Sequence, residues 1–263
     1  MKITEIKSCY IGPEISPEQF IAEHFFLYLA KGTVIGYDGS KNYTLNSGDY
    51  CLIRKNYLAR YNKQKENDEF EKVMIIFDEK FLKKIKNKFQ ISSSNTRPTE
   101  PFIALEKNEL IPNFIQSLSP YYNQTGLIDE TFSDIKREEL IIILLKIKPE
   151  LADIFFDFNI PEKINLEEFM LKNFRFNVTV ERFAYLTGRS LSAFKRDFGK
   201  IFNNTPSHWL VKKRLEEAYF LIEKKDKKPS DIYLDLGFED LSHFSFAFKK
   251  LFGYAPKKLI ENK

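Results

Sequence analysis

The chain has 263 residues, 43% hydrophobic and 30% charged, which suits about two domains with buried cores and excludes a disordered chain. No apolar run approaches the roughly 20 residues of a membrane span, and the opening MKITEIKSCYIGPEIS lacks the apolar stretch of a signal peptide. The net charge of +4 becomes informative when divided: residues 1–160 hold 21 basic and 23 acidic side chains, and residues 161–263 hold 20 and 14. A basic excess confined to the last hundred residues points to a polyanionic partner. Cys9 and Cys51 stand far apart, which fits a reducing cytoplasm better than a disulfide framework.

From His24 to Phe77 the pattern is one of short strands: HFFLYLAK (24–31), TVIGY (33–37), YCLIR (50–54), LARYNK (58–63) and FEKVMIIF (70–77). Asp38-Gly39 and Asn46-Ser47-Gly48-Asp49 supply turn chemistry between them. About six such strands predict an antiparallel sandwich or small barrel. Phe81, Leu82, Ile85 and Phe89 predict a helix over 79–89, followed by a connector over 92–101. Residues 102–158 read as helical, interrupted near Pro112, Pro120 and Pro149. The strongest segment, 129–147, carries Phe132, Ile135, Leu140, Ile141, Ile142, Ile143 and Leu144. Such an all-round apolar helix is either buried between other elements or paired with its copy in a dimer, and periodicity leaves both open.

The last hundred residues contain a repeat. Phe183, Ala184 and Leu186 give a short helix an apolar face, and it stops at Thr187-Gly188, where glycine permits the positive φ of a tight turn. Ser190 is a good N-cap for the next helix. Phe194, Phe198 and either Ile201 or Phe202 face inward, leaving Ser192, Lys195 and Arg196 outside. The plan recurs with Ile232, Leu236, Gly237, the cap Asp240, then Phe244, Phe248 and either Leu251 or Phe252. Caps and phenylalanines are both offset by 50 positions, far more specific than either half alone. Between the copies, 206–225 reads as one amphipathic helix with Pro206 in its first turn and Trp209, Leu210, Leu215, Ala218, Leu221 and Ile222 as its buried stripe. Two helix-turn-helix units, about 180–202 and 230–252, on one rigid helix suit successive major-groove segments roughly 34 Å apart. The alternative is a non-catalytic interaction module whose helical units dock a partner protein.

Residues 237–245 (GFEDLSHFS), then Phe248-Lys249-Lys250, Phe252-Gly253 and Pro256, resemble the DNA-binding domain of the AraC/XylS family of bacterial transcription regulators. Arg214-Leu215-Glu216-Glu217-Ala218 and the stretch from Ser190 to Phe198 agree. Ser47-Gly48-Asp49-Tyr50 in its strand-rich segment is similar to the family's cupin-like sensory domain. The resemblance implies an α+β chain: a cupin-like antiparallel β-sandwich or barrel with dimerisation helices over 1–160, then an all-α DNA-binding domain over 161–263. It implies duplex DNA, a second copy of the chain and RNA polymerase as partners, an N-terminal domain that takes a small-molecule or protein effector or serves pairing alone, and transcription regulation, by activation or repression, in the cytoplasm without a membrane. Base reading would fall to Leu191, Ser192, Lys195 and Arg196 in the first unit and to Leu241, Ser242, Ser245 and Phe246 in the second. His243, Lys249 and Lys250 would hold phosphates, and Ile141, Leu144 and Leu145 would pair the protomers. Arg196 suits bidentate reading of guanine O6 and N7. Three positions depart from the pattern: Phe246 where Arg is common, Tyr233 for a small Ala, and Asn203 for a helix-ending Gly.

Nothing in the sequence predicts catalysis. His24, His208 and His243 lie in different segments, and there is no His-x-His pair with a following Glu, CxxC, glycine-rich phosphate loop or Ser-His-Asp context. No cofactor or metal is expected, and His24 in an aromatic strand reads as a core histidine. Phe25, Tyr28, Tyr37, Tyr43, Tyr50 and Tyr57 fit a ligand cavity or a filled core; without polar groups to anchor a ligand the filled core is favoured.

Overall fold

The computed structural model describes residues 6–9, 19–90, 100–122 and 127–261. Contacts divide them into a first unit within 6–159 and a second of 160–261, with which the short segments 19–20 and 58–60 also group.

The strands are β1 (Ile6–Cys9), β2 (Phe20–Ile21), β3 (His24–Lys31), β4 (Thr33–Tyr37), β5 (Asn42–Asn46), β6 (Tyr50–Ile53), β7 (Tyr57–Leu58), β8 (Arg60–Gln64), β9 (Glu71–Phe77) and β10 (Phe102–Ala104). They form a five-stranded sheet in the order β1-β9-β3-β6-β10, a three-stranded sheet β5-β4-β8 and the pair β2-β7. The large sheet is antiparallel, with Phe26 opposite both Leu52 and Ile75. β6 is buried at every residue, so it reads as a continuous apolar run. The β4–β5 hairpin closes on Asp38, whose Oδ1 accepts from the backbone N–H groups of Ser40 and Lys41 at 2.8 and 2.9 Å, while Oδ2 accepts from the Tyr43 hydroxyl at 2.8 Å.

Two readings need correction in the strands. LARYNK is divided at Ala59 between β7 and β8. Residues 102–104, expected to be helical, form β10 against β6, with Phe102 opposite Ile53. The reason is packing: the Phe102 ring stacks on Tyr43 at 4.3 Å and meets the edge of Tyr61 at 5.7 Å. Even a Cβ at Gly36 would approach that ring to 2.6 Å. Most of the connector over 92–101 lies outside the described residues.

Helices α1 (Glu79–Phe89), α2 (Leu110–Ser117), α3 (Glu130–Ile147) and α4 (Ala152–Phe155) complete the first unit. Pro112 lies in the first turn of α2, where a missing N–H costs nothing, and so does not interrupt it; Pro120 and Pro149 sit in 3-10 turns. Asp78 and Asp129 cap α1 and α3. Leu140, Ile141 and Leu144 are fully buried among Phe26, Ile75, Phe77 and Phe81. Buried Arg137 ties α3 to the end of β9, donating to Ile76 O at 3.1 Å and Asp78 Oδ2 at 2.7 Å over the Phe81 ring.

The second unit is helical: α5 (Leu166–Asn173), which the sequence reading omitted, α6 (Val180–Leu186), α7 (Leu191–Phe202), α8 (Pro206–Lys225), α9 (Pro229–Ile232), α10 (Leu241–Phe252) and α11 (Lys258–Glu261). α7 and α10 start after the predicted caps and α8 spans the predicted 206–225, and α9 is one turn long because its inward residue Leu236 lies beyond it in a turn. The chain therefore pairs a β-rich antiparallel N-terminal domain with a helical C-terminal one.

Candidate nucleic-acid interface

Both interhelical turns depend on glycine. Gly188 has φ +65°, and a Cβ there would lie 2.5 Å from Glu162 O; Gly237 has φ +79°, and a Cβ would lie 2.6 Å from Arg175 O. An L side chain would be strained at either φ and would also collide with backbone. Ser190 and Asp240 accept from the N–H groups of Ala193 and His243, so each recognition helix starts at a fixed residue. Asn203 ends α7 in the left-handed region at φ 49°, tolerating the cap that Gly253 makes at the end of α10.

Phe194, Phe198, Phe244 and Phe248 are fully buried. Of the open alternatives, Phe202 and Phe252 turn inward, while Ile201 and Leu251 are exposed. Trp209 packs on Phe198 and Phe202 at 5.5 and 4.6 Å, and Tyr219 on Phe252 at 5.1 Å, so α8 backs both units with one face. Tyr233 is half-buried against the second cluster, which accommodates its bulk.

These inward residues leave the predicted contact set outside. Ser192, Lys195 and Arg196 are exposed and Leu191 half-buried on α7; Leu241, Ser242 and Phe246 are exposed and Ser245 half-buried on α10; His243, Lys249 and Lys250 are exposed. Arg196 donates to Asp197 Oδ1 at 3.2 Å, and Asp197 also accepts from Arg189 at 3.3 Å. Burial pushes the Asp197 carboxyl up, but hydrogen bonds from Arg189 and Arg196 outweigh it and hold it below the usual carboxylate range. The Arg196 side chain stays largely exposed beside this carboxylate.

The sequence reading missed Arg214. Arginine beside Lys212 and Lys213 argues for a solvated position, yet its side chain is buried and donates to Phe174 O at 2.7 Å, Phe176 O at 2.7 Å and Gly237 O at 3.0 Å. Burial pushes its pKa down to about 10, so it stays charged at neutral pH. One side chain of α8 thus holds both the segment leading into the first helix-turn-helix and the turn of the second. The signal was available: Arg214 lies one turn beyond Leu210 and one before Ala218, on the buried stripe.

In the first unit, Ile141 and Leu144 point into their own core and Leu145 is half-buried. They do not form an open seam in the folded protomer. The apolar residues that α3 exposes are Phe132, Ile135 at 62% and Ile142 at 48%. Beside the Tyr43–Phe102 stack lies a cavity of about 310 Å³, lined in part by Tyr50, Cys51, Asp49 and Lys107. Cys51 is a buried free thiol, pushed up to about 12 by burial and then by the Asp49 charge; the side chain of Cys9 lies outside the described residues. Among the described residues no group of three or more His, Cys, Asp or Glu is placed to hold a metal ion, and no helix is long and apolar enough to cross a membrane.

Residues 183–262 match the model of a helix-turn-helix domain of AraC type, and residues 24–154 match that of the ExsA N-terminal regulatory domain. The chain belongs to the AraC family of transcription regulators. It is 24% identical to the virulence regulon transcriptional activator VirF of Yersinia enterocolitica over 88% of this chain and 86% of VirF. The thermoregulatory protein LcrF of Yersinia pestis is 23% identical with the same coverage. The HTH-type regulator ExsA of Pseudomonas aeruginosa is 28% identical over 37% of this chain and 35% of its own. These relatives are transcription regulators rather than enzymes. As an AraC-family member, the chain joins an N-terminal regulatory domain to a DNA-binding helix-turn-helix domain.

Proposed function

We propose that α7 and α10 read two successive major-groove segments of one operator, and that two copies of the chain bind together to activate transcription in the cytoplasm. The observation that carries this is the doubled placement on α8: each of the two helices buries a matched pair of phenylalanines, Phe194 and Phe198 on α7 and Phe244 and Phe248 on α10, and leaves its opposite side outward. Leu191, Ser192, Lys195 and Arg196 read bases in the first segment, and Leu241, Ser242, Ser245 and Phe246 in the second. His243, Lys249 and Lys250 hold phosphates, which fix register and carry little sequence information. Pairing uses the exposed side of α3, through Phe132, Ile135 and Ile142, because Ile141 and Leu144 already serve the core. RNA polymerase is the partner that activation requires, and an effector acts through the N-terminal domain.

Selection of duplexes from a random pool by the full chain tests the reading. Enrichment of a site spanning about two turns of duplex supports it; enrichment of nothing over random DNA contradicts it.

A further inference from the structure

Phe246 is 68% exposed, the most exposed aromatic ring among the described residues. Leaving a phenyl ring in water forgoes the stabilisation that burial gives, whereas Phe244 and Phe248 on the same helix are fully buried. Phe246 shares the outward side of α10 with exposed Leu241 and Ser242 and half-buried Ser245. None of these four carries charge. The charged groups lie around them: Glu239 and Asp240 precede the helix, and Lys249 and Lys250 lie in its last turn. α7 differs, since two of its four outward positions are Lys195 and Arg196.

Apolar side chains in the major groove have one specific complement, the C5-methyl group of thymine; guanine and cytosine offer only hydrogen-bonding edges there. We infer that α10 selects its DNA segment through thymine methyl groups held against Phe246 and Leu241, while α7 selects its own by hydrogen bonds. The inference rests on the proposed function and deepens it: the operator has two chemically unlike segments, and the Lys249 and Lys250 charges bring α10 to the groove without reading it.

The test uses the duplex that the full chain selects from a random pool, remade with 2′-deoxyuridine for thymidine in one segment at a time. The substitution removes the methyl and keeps base pairing. Wild-type affinity is expected to fall about fourfold for each contacted methyl removed in one segment, and to change little in the other. Phe246→Ala is expected to bind the thymidine duplex more weakly and to lose part of its sensitivity to deoxyuridine in that segment alone, and Phe246→Ala with Leu241→Ala to lose the rest. Equal wild-type affinity for thymidine and deoxyuridine duplexes overturns the inference and leaves the proposed function standing, as does a Phe246→Ala protein that discriminates as strongly as the wild type. If no duplex is enriched, both readings fall. The wild-type comparison requires no variant to fold.

Discussion

Arg214 carries a charge into the second unit and is met there by three carbonyl oxygens. The Phe176 carbonyl also accepts from the Val178 N–H at 3.1 Å, so removing Arg214 orphans the Phe174 and Gly237 carbonyls, at about 1–3 kcal/mol each, and Arg214→Met is expected to cost at least about 2 kcal/mol. Trp209 is the single tryptophan of the chain and lies among Phe174, Phe198 and Phe202, so its fluorescence during urea unfolding follows the second unit alone. An unshifted transition would remove the staple. His24 provides a second test. It is buried, its Nδ1 accepts from the Lys55 N–H at 3.3 Å, and burial followed by the Lys55 and Arg54 charges lowers its pKa well below 6.5. The unfolded chain then takes up a proton that the folded chain refuses, so the stability His24 contributes is present above pH 6.5 and declines as pH falls below it, by up to about 1.4 kcal/mol per pH unit. His24→Gln should flatten that decline in urea unfolding followed by circular dichroism. Burial of His24 was legible from its aromatic strand. Burial of Arg214 was not, because residue type argued for solvent and only position on the helix argued for the core.

Where an element has one apolar side, periodicity defines it: α1 and α8 run over the residues their patterns predict, and Ser190 and Asp240 start α7 and α10. α3 is apolar on several sides, so periodicity does not decide which side the core takes; packing against Phe26, Ile75 and Phe81 does. That choice alters what a substitution does. Leu144→Asp places a charge in the core and should unfold the first unit, whereas Ile135→Asp should leave it folded and yield a monomer by light scattering; a persistent dimer would exclude the exposed side of α3 as the seam. β10 was misread for a related reason, since FIA is too short for any period and its state is set by the Tyr43 ring beneath Phe102. In the recognition helices, Arg196→Ala should cost about 1–3 kcal/mol and relax preference at one base pair, measured by competition between duplexes differing there. A uniform loss on all sequences would make Arg196 a phosphate contact instead.

At the scale of the molecule, the +4 net charge conceals a division of labour, since the N-terminal 160 residues are slightly acidic and the remainder carries the basic excess. The excess is modest, so the proposed function places specificity in two recognition helices per chain and two chains per operator rather than in charge alone. The measurement that tests this most directly is the affinity of the full chain for its selected duplex and for a scrambled one across a salt series. A preference of at least about 10³-fold for the selected duplex is expected, with affinity for both falling linearly on logarithmic axes as salt rises. Equal affinity for the two duplexes, or affinity indifferent to salt, would contradict it.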